Sequence, residues 1–302
     1  MRILVSSTQD PYFNLAAEEY LLRNYTGEVL FLYINNPSVI VGKHQNLLAE
    51  INYRYVVENN VFLARRITGG GAVFHDPGNL NYAFFAASQV GTQVNFPKYL
   101  NWVIQVLERL GISAVYEGKN NLRVDGLKIS GNAGHVFKNI ALHHGTLLVN
   151  ANLQMLSACL KVKEGCYTDK AVKSIRAKVA NLSQFRPDIN VEILIEKFSE
   201  VMEGHISHFS SQEVASIQQL SREKFSSWDW VWGYSPFYTY RRHSTPWGDI
   251  VLEVEKGRII HANIEKQPHW NKQLEGLPHD YPTLSKFIEN TGFPKEEAWW
   301  FF

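Results

Sequence analysis

The sequence predicts an α+β fold: a mainly antiparallel sheet with packed helices, then a small α+β unit at the C-terminal end. Three observations carry that prediction. Strand-like segments follow one another over 29–87 through turn residues, with no helical pattern between them, which indicates antiparallel pairing. Apolar residues at helical spacing come in separate blocks, the clearest being Leu100, Val103, Ile104, Leu107 and Leu110. Near residue 225 the chain changes character and becomes rich in tryptophan and hairpin sequence. A length of 302 residues also suits two domains of about 150 residues each. We place them at 1–225 and 226–302.

Each element has its own signal. Residues 2–5 read as a strand. Asp10-Pro11 opens a helix over 14–23 with Leu15, Leu21 and Leu22 available for one face. The β-branched and aromatic runs 29–33, 39–42 and 61–66 read as strands; 72–74 follows a glycine turn, and 80–87 follows Asp76-Pro77-Gly78-Asn79. The helix at 100–110 ends at Gly111, a natural C′ residue. Asp125-Gly126 centres a two-residue hairpin, and 140–149 is a strand. Leu153, Leu156 and Leu160 make a short helical face. Helices are expected over 191–208 and 212–225, with Phe198 and Met202 inward. In the end unit, strands 250–255 and 258–264 flank Lys256-Gly257, and a helix over 283–290 closes it.

Composition narrows the function classes. A net charge of +1 argues against binding nucleic acid or anionic membrane through bulk charge. With 45% hydrophobic and 20% charged residues, wholesale disorder is excluded. No apolar run approaches the ~20 residues that span a bilayer. Two cysteines, Cys159 and Cys166, cannot build a disulfide framework or a four-cysteine zinc site. The opening Met1-Arg2-Ile3-Leu4-Val5 lacks the features of a leader peptide, so a cytoplasmic protein is expected.

Three segments could carry chemistry. In Arg65-Arg66-Ile67-Thr68-Gly69-Gly70-Gly71-Ala72-Val73-Phe74-His75-Asp76, three glycines let backbone N–H groups approach a ligand, and two arginines supply charge for an anion. A flexible hairpin with a solvated basic edge is the competing reading. No Lys-Ser/Thr follows as in a Walker loop, and the glycines lead into a strand, unlike a dinucleotide fingerprint. In 120–131, the turn at Asp125-Gly126 pairs Arg123 with Lys128 and Asn121 with Ser130. Strict alternation then places Asn121, Arg123, Lys128 and Ser130 on one face, opposite Leu122, Val124, Leu127 and Ile129. In His143-His144-Gly145-Thr146 the adjacent histidines point to opposite faces and do not share a metal. His205 and His208 read as surface residues, Cys159 as a buried inert thiol, and Cys166 as an unactivated loop residue.

At these segments the sequence resembles the lipoate–protein ligase family. The matching stretches are Arg66-Ile67-Thr68-Gly69-Gly70-Gly71-Ala72-Val73-Phe74-His75-Asp76 with Gly78-Asn79, Lys128-Ile129-Ser130-Gly131-Asn132-Ala133, and His144-Gly145-Thr146-Leu147-Leu148. Asn14-Leu15-Ala16 with Glu18-Glu19, Gly42 with Gln45-Asn46, and the end unit with Trp228 and Trp247-Gly248 support it. The resemblance covers nearly the whole chain and implies a biotin/lipoate ligase-like catalytic domain followed by an accessory domain.

It also implies a reaction. Lipoate and ATP form lipoyl-AMP and pyrophosphate, and a lysine of a lipoyl carrier domain then takes the acyl group and releases AMP. The carriers would be lipoyl domains of 2-oxoacid dehydrogenase E2 subunits and glycine cleavage H protein. By resemblance Lys128 is the catalytic lysine. Arg66, Gly69, Gly70, Gly71, Ala72, Val73, Phe74, His75, Asn79, Asn121, Ser130, Gly131 and Ala133 bind ATP and lipoyl-AMP. Glu18, His144, Gly145 and Thr146 border the lipoate pocket. Asn121 stands where the family commonly has Asp near magnesium-bound phosphates, so it keeps an oxygen ligand for Mg2+ but lacks the charge. A transferase using preformed lipoyl-AMP, a cysteine-dependent octanoyl or lipoyl transferase, and a non-catalytic lipoate-binding protein are the alternatives. The cysteine route places its thiol upstream of the Lys128 motif, where this chain has none.

Overall fold

A computed structural model describes residues 1–25, 27–89, 94–118, 120–162, 165–175 and 177–302. Its large sheet is built from β1 (Arg2–Val5), β2 (Val29–Tyr33), β6 (Asn79–Ala87), β7 (Val115–Glu117), β8 (Asn121–Val124), β9 (Leu127–Phe137), β10 (Ile140–Leu148) and β12 (Ile206–Ser207). These lie in the order β12-β1-β2-β6-β10-β9-β8-β7. A second sheet has β3 (Ser38–Val41) between β4 (Phe62–Arg65) and β5 (Val73–His75). A third joins β11 (Tyr167–Asp169) to β13 (Tyr238–Thr245), β14 (Gly248–Glu255) and β15 (Arg258–Ile264). The end sheet thus takes one strand from well upstream in the chain.

Helices cover both faces of the large sheet. On one face Leu80, Tyr82, Phe84, Leu122 and Ile129 pack with Leu100, Val103 and Leu107 of α3 (Phe96–Arg109) and with Leu194 and Phe198 of α5 (Val191–Val201). On the other, Phe31, Ala83 and Leu142 meet Leu15 and Leu21 of α1 (Pro11–Asn24) and Ile217 of α6 (Ser211–Leu220). Asp10 caps α1 by accepting from the Tyr12 N–H at 2.9 Å, with Pro11 in the first turn. A third apolar cluster runs without interruption from Val39, Val41 and Tyr53 to Trp247, Trp270 and Phe301. It includes Leu274 of α7 (Trp270–Leu274) and Leu284 and Ile288 of α8 (Tyr281–Asn290). Among the described residues no helix is long and apolar enough to cross a membrane.

The α+β class holds, with local differences from the sequence expectations. The segment after β3 contains a short helix, α2 (Tyr53–Glu58), so β3 and β4 pair in parallel. β1 and β2, joined through α1, are also parallel. Only six residues of α2 are helical, too few for a periodic signal to stand out. β4 and β5 do not pair with each other as a hairpin; each flanks β3, so the glycine segment crosses over the end of that strand. The expected helix over 191–208 stops at Val201, and 206–207 joins β1 as a two-residue strand. The hairpin at Asp125-Gly126 begins in the expected register, then slips by one: Leu122 lies opposite Ser130 and Asn121 opposite Gly131. The irregularity leaves Ile129 as an extra, fully buried residue. Leu153 and Leu156 do lie on a helix, α4 (Leu153–Cys159).

Arg65 ties the end unit to the loop after β3. It is fully buried, and its guanidinium donates to the carbonyls of Gly42 (3.0 Å), Gln45 (2.7 Å), Trp230 (3.0 Å) and Val231 (2.9 Å). Trp230 returns an indole N–H to the Arg65 carbonyl at 2.8 Å. Arg65 is therefore a structural clamp, and its charge does not reach an open anion site. Removing it strands several buried acceptors, and hydrogen bonds to a charged donor are each worth about 1.5–3 kcal/mol. Arg65→Ala is expected to lower unfolding free energy by at least about 3 kcal/mol. Urea denaturation followed by tryptophan fluorescence checks this, because Trp230 lies at the clamp.

Candidate active site

The glycine segment owes its shape to Arg66. Arg65 ends β4 and Arg66 follows it, and their guanidinium groups engage different partners. The Arg66 guanidinium donates to Thr68 Oγ1 (3.0 Å) and to the carbonyls of Ile40 (3.1 Å), Gly69 (2.7 Å) and Gly71 (2.8 Å). Burial pushes its pKa down to about 10, still far above neutral pH, while Glu18 favours its charge. Gly70 has φ +95°, and a Cβ there would come 2.9 Å from Arg66 Nη2. A side chain at Gly70 would therefore be strained by backbone and neighbour alike. The loop also packs on Gly42, where a Cβ would fall 2.1 Å from the Gly70 carbonyl oxygen.

Thr68 extends this network into the interior. Its hydroxyl lies 2.8 Å from His144 Nε2, and His144 Nδ1 lies 2.8 Å from Glu18 Oε2. Tyr33 donates its hydroxyl to Glu18 Oε1 at 2.9 Å. The donor pattern is self-consistent: Arg66 to Thr68, Thr68 to His144, and His144 and Tyr33 to the Glu18 carboxylate. Burial, with the Glu18 carboxylate adding to it, holds the Tyr33 hydroxyl well above its ordinary pKa. His75 is also interior, with Nδ1 3.0 Å from Asn35 Nδ2. Burial, reinforced by Arg66 and His144, pushes its pKa down to about 3 and keeps it neutral.

In front of this layer is a cavity of about 970 Å³. Ala72, Val73 and Phe74 form one wall, Lys128, Ser130 and Gly131 of β9 another, with Thr146 beside them. Leu153, Leu156 and Leu160 make an apolar side. The Lys128 backbone is held at both ends, its N–H donating to the Lys178 carbonyl and its carbonyl accepting from the Ala180 N–H, each at 3.0 Å. Burial, and secondarily the Arg123 charge, lowers the pKa of its ammonium. Lys128 is thus a half-buried cation facing a cavity that is apolar on one side.

The structure sorts the residues singled out from sequence into layers. Ala72, Val73, Phe74, Lys128, Ser130, Gly131 and Thr146 line the cavity together. Glu18, Arg66, His75 and His144 lie buried behind it, each bonded within the protein. Asn79 is fully buried and donates its amide to Asn81 Oδ1 at 3.0 Å. Gly69 and Gly70 sit exposed at the loop crest. Asn121, opposite Gly131 in the hairpin, and Ala133 are half-buried. The missing side chain of Gly145 points away from Thr146 and His144, toward Tyr82 and Asn132. Ser130 likewise turns its hydroxyl to Tyr82 and Asn132, so it does not share the polar face of Lys128 that strict alternation predicts. Its backbone remains on the cavity.

Sequence reasoning missed one group. Ser174 Oγ accepts the Ala72 N–H at 2.8 Å and donates to the Glu50 carboxylate, while Gln45 Nε2 reaches Ser174 Oγ at 3.3 Å. Burial raises the Glu50 pKa. Gln45 stood in a matching stretch, but Glu50 and Ser174 are far apart in the chain and neither sits in a motif. Among the described residues no group of three His, Cys, Asp or Glu could hold a metal ion. Cys159 is buried, which pushes its thiol up to about 11, and Cys166 is half-buried. Cys159 is therefore a neutral thiol at neutral pH.

Comparison with known proteins identifies the family. The family model described as the lipoyl protein ligase A/B catalytic domain matches residues 10–206. A relative, lipoate-protein ligase LplJ of Bacillus subtilis, is 39% identical over 273 residues, which is 84% of this chain and 81% of the relative. A solved bi-partite lipoate protein ligase of Thermoplasma acidophilum, from work that also includes its E2 lipoyl domain, superposes with a TM-score of 0.65 at 29% identity over 76% of this chain and 95% of that one. A lipoate-protein ligase A solved with bound ATP superposes with a TM-score of 0.64 at 29% identity over 76% of this chain and 97% of that one. The chain belongs to the lipoyl protein ligase A/B catalytic domain family.

Proposed function

We propose that this protein is an ATP-dependent lipoate–protein ligase. The observation that carries the reading is that Lys128 and the Ala72–Phe74 segment line one cavity together with an apolar wall of leucines. A nucleotide with an apolar acyl chain needs these three surfaces at once. In the first half-reaction a lipoate carboxylate oxygen attacks the α-phosphorus of ATP, and the bond to the pyrophosphate oxygen breaks. In the second, the amine of a carrier lysine attacks the acyl carbon, the bond to AMP breaks, and the amine loses a proton to solvent. Both steps place negative charge on oxygens. Electrostatic stabilisation and positioning therefore supply most of the catalysis.

Lys128 is the catalytic residue in this reading, placed to meet both the α-phosphate and the acyl carbonyl. The segment containing Gly69, Gly70, Gly71, Ala72, Val73 and Phe74 provides backbone contacts to phosphate and adenine, with Gly131 and Ala133 across the cavity. Arg66, whose guanidinium is engaged with the loop carbonyls, holds that segment in its receptive shape and contributes positive potential. The buried Glu18–His144 pair and Thr146 back the acyl end. Magnesium enters as part of the MgATP substrate, with Asn121 offering a neutral oxygen. The acyl acceptors are lipoyl domains of E2 subunits and glycine cleavage H protein. Residues 1–225 act as the catalytic domain and 226–302 as the accessory domain. A cysteine acyl-enzyme route finds no support, since Cys159 is buried and the Lys128 cavity has no cysteine among its lining residues.

Incubation with ATP, magnesium, lipoate and an apo lipoyl domain tests the proposal: pyrophosphate release and a lipoyl mass increment on the carrier are expected. Transfer only from supplied lipoyl-AMP would favour the transferase alternative. Lys128→Ala is expected to fold normally and slow both half-reactions about 10²–10³-fold, the usual cost of one preorganised charge donor. Because burial lowers the Lys128 pKa, its charge is lost at lower pH than for a free lysine. The alkaline limb of the adenylation profile should therefore lie below the ordinary lysine value. Gly70→Val is expected to weaken ATP binding more than lipoate binding, measured by calorimetric titration of each ligand.

A further inference from the structure

The bulge at Ile129 decides which way Lys128 faces. Gly131 faces the cavity, since a Cβ there would lie 3.1 Å from Lys128 Nζ. Counting back from Gly131 with strict alternation would turn Ile129 to the cavity and Lys128 into the helix-covered side. The extra residue reverses this. Ile129 is fully buried among Leu122, Val124 and the α3 residues, and Lys128 is left facing the cavity.

A closed set of hydrogen bonds sits directly behind the bulge. Asn132 Nδ2 donates to Ser130 Oγ at 3.1 Å and to the Asn120 carbonyl at 3.1 Å. The Tyr82 hydroxyl donates to Asn132 Oδ1, leaving its oxygen to accept the Ser130 hydroxyl over 3.2 Å. His143 Nε2 adds a bond to Asn132 Oδ1 at 3.1 Å, and burial pushes that imidazole down to about 3, so it is neutral. Exposure is 0% for Tyr82, 1% for Ser130 and 5% for Asn132. Buried groups bonded in a ring resist rearrangement, because breaking one bond strands two partners. The ring also accounts for Gly145, where a Cβ would fall 2.1 Å from Asn132 Oδ1 and 2.5 Å from the Tyr82 oxygen.

We propose that Tyr82, acting through Ser130 and Asn132, is a positioning residue that fixes the Ile129 bulge and so aims the Lys128 ammonium into the cavity. This rests on the reading of Lys128 given above. The Tyr82 hydroxyl contacts β9 from the face opposite the cavity, so its effect on the reaction passes through Lys128. A network that only stabilises the core would slow the reaction by the same factor whether or not Lys128 is present.

A double-mutant cycle separates the two roles. Tyr82→Phe keeps the ring, packed 5.8 Å from that of Phe84, and removes the hydroxyl. The adenylation kcat should fall about 10–100-fold, the scale of an ångström-level misplacement, with KM for ATP and lipoate little changed. In the Lys128→Ala background the same change should cost nothing further. Ser130→Ala, which removes a smaller group, should repeat the pattern and serves if Tyr82→Phe does not fold. An equal loss in both backgrounds, or no loss in the parent, would overturn the proposal. Failure of the Lys128 reading is seen separately, as full activity of Lys128→Ala alone, and the positioning role would fall with it.

Discussion

Two adjacent arginines, the last residue of a short strand and the one after it, set the conditions for the rest of the molecule. A buried guanidinium is tolerated only when its donors are met, and Arg65 and Arg66 meet them almost wholly with backbone carbonyls. The two side chains engage separate sets of partners. One gathers the loop after β3 and the segment around Trp230; the other gathers the glycine crossover. The position of the end unit and the form of the glycine loop therefore share one local cause. From Arg66 the constraint continues through Thr68 and His144 to Glu18, which couples the loop to the interior under the sheet.

The cavity that results is asymmetric in a useful way. One wall is the Ala72–Phe74 segment, its β9 wall carries Lys128, and its α4 side offers leucines. Lowered dielectric strengthens the interaction of Lys128 with any developing oxyanion. The same burial that lowers its pKa thus makes its charge more effective while it is present. Ser174 accepts the Ala72 N–H, which ties the glycine segment to the Glu50 side of the cavity. The protein's task is to hold such groups in place, and nothing in that task needs a thiol.

Much of this was legible in the sequence where signals were local. The Asp10-Pro11 cap, the Gly111 stop, the Asp125-Gly126 and Lys256-Gly257 turns and the α3 stripe each depend on neighbours within a few residues, and each is found in place. The α+β class followed from them. The glycine motif marked the site, yet the sequence suggested two arginines for an anion, while the structure shows both engaged with carbonyls. The Ile129 bulge could not be read from alternation, because the hydrogen bonds behind it join Ser130 and Asn132 of β9 to Tyr82 on β6, distant in sequence. Glu50 and Ser174 meet only through the fold, and the six-residue α2 was too short to register against its flanking strands.

The central claim is that one cavity holds the acyl-adenylate between the glycine segment and Lys128. The most direct measurement is a crystal structure after soaking with ATP, magnesium and lipoate. The account predicts density for lipoyl-AMP, with its phosphate within hydrogen-bonding distance of Lys128 Nζ and of the Ala72–Phe74 backbone, and its acyl chain on the apolar side. Adenylate bound away from that cavity, or bound there with Lys128 turned from both phosphate and carbonyl, would contradict it.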